Sequence, residues 1–485
     1  MDRPGFITIV KKSEIKNSLF EDLQISKILS TDAINVLKWV CDIGEIKKRH
    51  SIFAAMENES FCELLEKCGE AILDFDKSKE LLNNAIPGIE VICLTIRVLE
   101  AYINLCKNIT ELKGYCRLTD MIAEFFLLPE NSRLTQEISC AVVKARNALA
   151  EISEFCLTFS DSNWISPSYS GKSYYERVAE CAQAMGFDIP SQRTLAVRAD
   201  ATVSKAYTQL FSDKVGEAEK LISPYSDIIQ LDFSGDRTAI NFYLEIKELI
   251  RKAESYNIPH TLPVISENRK IRINNVYDIT LLAKQVSEIV PNDAFFDTEA
   301  PFFFLTGANG GGKTTYLRAV GVNTVLFLAG CPVFADHAEI YPLRYIDVHF
   351  PKDERFTDTG RLDEEKQRVR DMLDRADSDS ILLFNETFSG TDDELGCTLT
   401  LSTAEKMREK SVFGLYVTHY HEVSGKGFPL LHAEVEDTHD EKNKRIYRIV
   451  RADGRTMSYA KDILRKYKLD RKSLLERGRK NDQPS

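Results

Sequence analysis

The sequence predicts a multidomain protein in which an all-α region, residues 1–265, precedes an α/β domain, residues 266–485. Two observations predict this division. In the first region, apolar residues recur at spacings of three and four along segments such as 31–57 and 87–112, as on the buried face of a helix. After residue 265, short apolar runs alternate with helical segments, which is typical of a sheet covered by helices on both faces.

The apolar runs after residue 265 are predicted to be strands. The segment 269–282 has a strand-like pattern and opens the second region. The other predicted strands are 301–306, 345–350, 380–385, 411–418 and 445–450. The last segment, residues 463–480, is predicted to be a basic helix, with eight basic and two acidic residues between Arg465 and Lys480.

Composition limits the classes of protein that fit this chain. The formal net charge is -11, so the chain as a whole is not a polycation that coats nucleic acid. The start lacks the apolar core of a secretory signal, and no apolar run is long enough to span a bilayer. The 11 cysteines contain no CxxC pair, which is typical of free thiols in a reducing compartment. We therefore expect a cytoplasmic protein with no membrane partner.

The segment LTGANGGGKTTYLRAV follows a predicted strand, opens a predicted helix and fits the phosphate-loop pattern G-x-x-x-x-G-K-[ST]. Glycines allow a tight turn whose N–H groups, with the helix N-terminus, can bind an anion. We expect Lys313 to reach the β and γ phosphates and the Thr314 hydroxyl to ligate Mg²⁺. The predicted nucleotide-binding residues are Gly307, Ala308, Asn309, Gly310, Gly311, Gly312, Lys313, Thr314 and Thr315.

A second apolar strand, SILLFN, ends in Asn385 and is followed by Glu386. In nucleotide hydrolases, a strand of this kind places a carboxylate beside the metal-bound nucleotide. Asn385 can accept a hydrogen bond from a metal-bound water, but it adds no negative charge. We predict Thr314 and Asn385 as the metal site and Glu386 as the general base. His419, which follows the strand VFGLYVT, is predicted to sense the γ-phosphate or to orient the attacking water.

These motifs, in this order, resemble the ATPase domain of the MutS family. The stretches that carry the resemblance are GANGGGKTTYLRAVG, GCPVFADHAEIYPL, LLFNETFSGTDD and YVTHYHEV, with VPND before the loop and MSYAKDIL near the end. The likeness covers about residues 270–475 and extends more faintly to DIGEIKKRHSIFAAMENE, which is similar to the start of the MutS core, or lever, domain. We expect the mismatch-reading and connector domains of full MutS to be missing here, and we expect helices around 120–250 to carry a reduced clamp.

The resemblance implies an ABC-type ATPase that uses ATP and Mg²⁺ and acts as a homodimer with two composite sites. In the family, each nucleotide is closed by a Ser-Thr-Phe-rich signature segment of the partner. The matching stretch here is DTGRLDEEKQRVRDML, in which Gly360 and Arg361 replace Ser and Thr, and Glu365 keeps the acidic position. We hypothesise that Arg361 acts as an arginine finger on the partner's γ-phosphate, the alternative being a solvated Arg at a helix start.

The resemblance further implies slow ATP hydrolysis that switches a clamp on duplex or branched nucleic acid, in DNA repair or recombination rather than in mismatch reading. An alternative is an ATP-gated scaffold or regulatory module that binds a protein or ribosomal partner with little or no hydrolysis. The acidic composition favours this alternative. A small-molecule phosphotransferase is a third alternative, but the sequence contains no evident acceptor site or lid.

Overall fold

The computed structural model describes residues 4–6, 13–153, 155–159, 165–169, 183–184, 201–284, 286, 288–351, 358–424, 426–436 and 444–452. Within these ranges, no helix is long and apolar enough to cross a membrane. The predicted basic helix near the end of the chain and the MSYAKDIL motif lie outside the described residues.

Helices occupy most of the first half of the chain, as the three- and four-residue periodicity predicts. The α-helices are α1 (Asn17–Asp22), α2 (Thr31–Leu37), α3 (Ile43–Ala55), α4 (Glu59–Asn83), α5 (Ile89–Glu111), α6 (Arg117–Leu127), α7 (Pro129–Ser153), α8 (Ala201–Leu210), α9 (Ser212–Ile222), α10 (Ser234–Glu254), α11 (Lys313–Leu328), α12 (Asp358–Arg375) and α13 (Asp393–Glu409). Short 3₁₀ helices cover Ile25–Lys27, Ser223–Gln230, Ile279–Lys284 and His421–Val423.

Strands are concentrated in the second half, where the apolar runs predict them. They are β1 (Phe155–Phe159), β2 (Ile165–Tyr169), β3 (Val264–Ile265), β4 (Ile271–Val276), β5 (Asn292–Phe296), β6 (Phe302–Gly307), β7 (His337–Ile340), β8 (Tyr345–His349), β9 (Ser380–Asn385), β10 (Phe413–Val417), β11 (Leu430–Glu436) and β12 (Lys444–Arg451). The chain is therefore a mixed helical and α/β multidomain protein.

The chain divides into two compact units, the first formed by residues 1–7 and 55–244. Its core includes the rings of Phe75, Tyr102 and Phe233, with Phe75 and Phe233 packed edge to face at a centroid distance of 5.4 Å. Asn58 caps α4 by accepting from the Ser60 N–H at 3.0 Å. The unit is not all-α as predicted, because β1 and β2 pair as an antiparallel hairpin. Polar and apolar residues alternate along both strands, and this two-residue period favours a strand over the helix predicted for the region.

The second unit, residues 8–54 and 245–485, contains two sheets. The larger has the strand order β12-β11-β6-β10-β9-β8, and every neighbouring pair is parallel except β11–β12. The smaller has the order β3-β7-β4-β5. Residues Phe302 to Leu305 of the central strand β6 are at most 3% exposed, which agrees with a strand buried on both faces.

Residues 8–54 lie in this second unit, whereas the sequence assigns them to the helical region that ends at 265. Specific polar contacts explain the difference. The Cys41 N–H donates to the Leu328 carbonyl at 2.9 Å. The Arg49 guanidinium, 1% exposed, donates to the Ala329 carbonyl at 2.8 Å and to Glu45 at 3.1 Å. Because a buried charge needs such partners, helix α3 is fixed to the end of α11.

Candidate phosphate-binding site

The loop between β6 and α11 has the backbone geometry that its glycines predict. The φ angle is positive at Gly307 (132°), Gly310 (73°) and Gly312 (90°). A Cβ atom on Gly307 would lie 2.9 Å from the Ala433 N atom and 2.8 Å from the Ala433 Cβ. Gly307 therefore meets two requirements at once, since it adopts an angle disfavoured for other residues and lets strand β11 approach the loop.

Lys313 opens helix α11 and turns its side chain back over the loop. Its Nζ atom donates to the carbonyl oxygens of Gly307 at 2.7 Å and Ala308 at 3.2 Å, and the residue is 4% exposed. Burial lowers the pKa of Lys313, and the nearby Glu386 carboxylate opposes that shift. A cation held in this way, at the N-terminus of a helix, suits an anionic ligand.

The metal-site prediction concerns Thr314 and Asn385, and the structure brings these two side chains together. The Thr314 hydroxyl donates to Asn385 Oδ1 at 2.9 Å. The contact follows from the topology, because α11 begins beside the carboxyl ends of the parallel strands β6, β10 and β9. Asn385 supplies an acceptor at the position where an Asp would also supply a charge.

Glu386 lies in the turn after β9, half-buried and next to the loop lysine. Its N–H donates to the Val417 carbonyl at 2.9 Å, which extends the contact between β9 and β10 by one residue. Its φ angle is 48°, a value uncommon outside glycine. The predicted base therefore has a backbone conformation that its surroundings must stabilise.

His419 follows β10, as predicted, and its side chain is exposed. The imidazole packs on the Tyr420 ring with a centroid distance of 4.3 Å. Within the described ranges, no hydrogen bond joins His419 to the phosphate loop, so its predicted role stays a prediction.

Arg361 lies in the first turn of α12, but its side chain is outside the described part of the chain. The same helix carries Glu365, which has a clear contact. Glu365 Oε2 accepts from the Phe388 N–H at 3.3 Å, within the same chain. Helix α12 is thereby linked to the turn that carries Glu386.

Tyr447 and His432 also lie beside the loop, although neither is predicted from the sequence as a site residue. A Cβ atom on Gly312 would lie 3.3 Å from the Tyr447 ring, so this half-exposed ring lies against the loop. Asn292, from the VPND motif, binds strand β12, which carries Tyr447. Its side chain donates to the Tyr447 carbonyl at 3.0 Å and accepts from the Ile449 N–H at 2.7 Å. The VPND motif was the available signal, but nothing in the sequence indicates its partner strand.

His432 occupies the strand next to the loop, where it pairs with Thr306 of β6. Burial lowers its pKa, and Lys313 contributes in the same direction while Glu434 opposes it. A neutral imidazole is thus favoured beside the loop at neutral pH.

The fold and the loop define an α/β domain with a candidate anion site, formed by a helix N-terminus at the carboxyl ends of parallel strands. Residues 303–462 match the family model described as MutS domain V. The match lies within the α/β domain and includes most of the phosphate loop, Asn385, Glu386 and His419.

Relatives named "Endonuclease MutS2" are similar to part of the chain. The protein from Streptococcus equi subsp. equi is 25% identical over 325 residues, which are 64% of this chain and 40% of the relative. The protein from Streptococcus uberis is 26% identical over 239 residues, which are 47% of this chain and 29% of the relative. The match to such relatives therefore spans well under half of their length.

Proposed function

We propose that this chain is a MutS-type ATPase of the ABC class that binds ATP with Mg²⁺ and hydrolyses it slowly at a homodimer interface. The observation that carries the proposal is the convergence of Lys313, the Thr314–Asn385 pair and Glu386 at one end of the sheet. Each supplies one function of phosphoryl transfer, namely charge neutralisation, metal placement and water activation.

The groups present fit a magnesium–nucleotide ligand. Among the described residues, no group of three or more His, Cys, Asp or Glu side chains can hold a metal ion. The Thr314 hydroxyl and Asn385 would hold Mg²⁺ together with phosphate oxygens, as is usual for this cation. When bound, Mg²⁺ neutralises charge on the phosphates during transfer.

The protein groups then divide the remaining tasks. The loop N–H groups and Lys313 orient the phosphates, and Glu386 accepts the proton of the attacking water. His419 orients that water or contacts the γ-phosphate. Arg361 is proposed to complete the partner subunit's site as an arginine finger, because it stands in the segment that corresponds to the family's signature and replaces a Thr there.

The ATP-dependent change is proposed to close helical arms around duplex or branched nucleic acid, in repair or recombination. The match of residues 303–462 to the MutS domain V model and the similarity to proteins named "Endonuclease MutS2" support this proposal. The predicted basic segment between Arg465 and Lys480 would add phosphate contacts.

A second candidate function is an ATP-gated scaffold that binds a protein or ribosomal partner without useful hydrolysis. Asn385 favours it, because a neutral residue stands where hydrolases of this type place an acidic one. The net charge of -11 also disfavours non-specific binding to free DNA.

Binding of a labelled four-way DNA junction separates the two functions. The proposal predicts tighter binding with ATP than with ADP, an affinity that falls steeply between about 50 and 200 mM salt, and loss of the ATP effect in Lys313→Met. If the protein binds ATP but does not bind the DNA junction at low salt in its presence, the scaffold function is favoured.

A further inference from the structure

The turn after β9 contains two residues whose φ angles lie in the left-handed region. These angles are 48° at Glu386 and 65° at Phe388. Neither residue is glycine, so both conformations are disfavoured locally and persist only where surrounding groups hold them.

A buried chain of side-chain hydrogen bonds reaches the residue between these two. His349 Nδ1 lies 2.8 Å from Thr387 Oγ1. The Tyr416 hydroxyl donates to the Thr387 carbonyl at 3.2 Å and lies 3.1 Å from the Thr400 hydroxyl. All four residues are at most 2% exposed, so water cannot replace a missing partner at low cost.

Phe388 is held in a similar way from two other elements. Its N–H donates to Glu365 of α12 at 3.3 Å, and its carbonyl accepts from the Tyr420 hydroxyl at 2.9 Å. The turn is thus anchored after Glu386 by groups from β8, β10, α12 and the segment that follows β10.

The His349 side chain is not needed to pair the strands. β8 and β9 pair through their backbones from Tyr345 opposite Ser380 to His349 opposite Phe384. Thr387 lies three residues beyond that last pair, so the imidazole reaches past the ladder to the turn.

We propose that His349 is a positioning residue that acts through Thr387 to fix the backbone on which Glu386 is presented to the nucleotide. The proposal rests on the proposed ATPase function, in which Glu386 activates water. His349 itself does not touch the reacting atoms.

Matched variants test this role. His349→Leu removes the hydrogen bond, whereas His349→Asn keeps a polar group near the Nδ1 position and can donate or accept. Thr387→Val and Thr387→Ser form the reciprocal pair, because valine is isosteric but lacks the hydroxyl. His50→Leu is the control for losing a half-buried imidazole elsewhere in the same unit.

Hydrogen exchange of the amides in residues 385–390 gives a readout that does not need activity. Loss of one buried hydrogen bond predicts exchange about tenfold faster in His349→Leu and Thr387→Val. His349→Asn, Thr387→Ser and His50→Leu should stay within about twofold of wild type. Unchanged exchange in His349→Leu, or faster exchange spread over all strands of the sheet, would overturn the proposal.

Turnover gives the second readout. In an active protein, His349→Leu should lower kcat about tenfold or more while the Kd for ATP changes less than about twofold, and His349→Asn should restore kcat. A rise in the Kd for ATP as large as the fall in kcat would contradict the positioning role of His349. An unchanged kcat in a variant whose turn amides exchange faster would also contradict it. If wild type does not hydrolyse ATP, the proposed function fails, and hydrogen exchange alone decides whether His349 holds the turn.

Discussion

Substitution of Gly307 by alanine tests the geometry of the loop most sharply. The new Cβ would lie 2.8 Å from the Ala433 Cβ, 2.9 Å from its N atom and 3.1 Å from its carbonyl oxygen, with φ at 132°. Backbone strain of about 1–3 kcal/mol and overpacking of about 1–3 kcal/mol predict a total loss near 4 kcal/mol. The loop, and not strand β11, should shift to relieve this strain, because β11 cannot move away without breaking its parallel ladder with β6.

Gly427→Ala is the matched control. Gly427 has φ at 74°, but a Cβ there would meet no atom of the described residues within 4 Å. The control therefore measures the cost of the backbone angle alone, about 1–2 kcal/mol.

Urea unfolding followed by tryptophan fluorescence is a suitable assay. The chain has two tryptophans, so a Trp164→Phe background leaves Trp39 as a probe of the unit that contains the sheet. Nucleotide affinity is measured in parallel and should fall in Gly307→Ala only. If Gly307→Ala and Gly427→Ala lose the same stability and Gly307→Ala binds ATP normally, the account of the loop is refuted.

Three further predictions concern charge. Lys313→Met should weaken ATP binding by about 100-fold or more, because charge-assisted hydrogen bonds to the phosphates are lost, and calorimetry measures this change. The same variant should not lower the free energy of unfolding, because it removes a buried cation, and urea unfolding measures this. Asn385→Asp should lower the Mg²⁺ concentration for half-maximal turnover by about tenfold, because it adds a negative charge, and an unchanged Mg²⁺ titration would count against the metal assignment. Burial lowers the pKa of His50 to about 4. Its unfolded state takes up a proton below about pH 6.5 while the folded state does not, so stability should fall by about 2 kcal/mol from pH 7.5 to 5, and His50→Leu should remove that part of the slope.

The sequence predicted the strands of the larger sheet well where apolar runs are continuous. The runs 301–306 and 380–385 form β6 and β9 almost residue for residue, because a strand buried on both faces needs an uninterrupted apolar run. The phosphate-loop pattern also predicted that a helix follows the loop, and this helix begins at Lys313.

Other features depend on contacts between residues far apart in the chain. The packing of residues 8–54 beside the sheet depends on backbone carbonyls such as that of Ala329, which no side-chain pattern reveals. The left-handed angle at Glu386 is equally hidden, because Glu has no local preference for it and the groups that hold the turn come from several elements.

Steady-state ATP hydrolysis by wild type beside Glu386→Gln, with and without branched DNA, is the most direct test of the proposed ATPase. The account predicts slow turnover by wild type, turnover at least about 100-fold lower in Glu386→Gln with ATP binding retained, and stimulation by DNA. Wild-type turnover that equals that of Glu386→Gln would contradict the account, and the site would then be an ATP-binding switch at most.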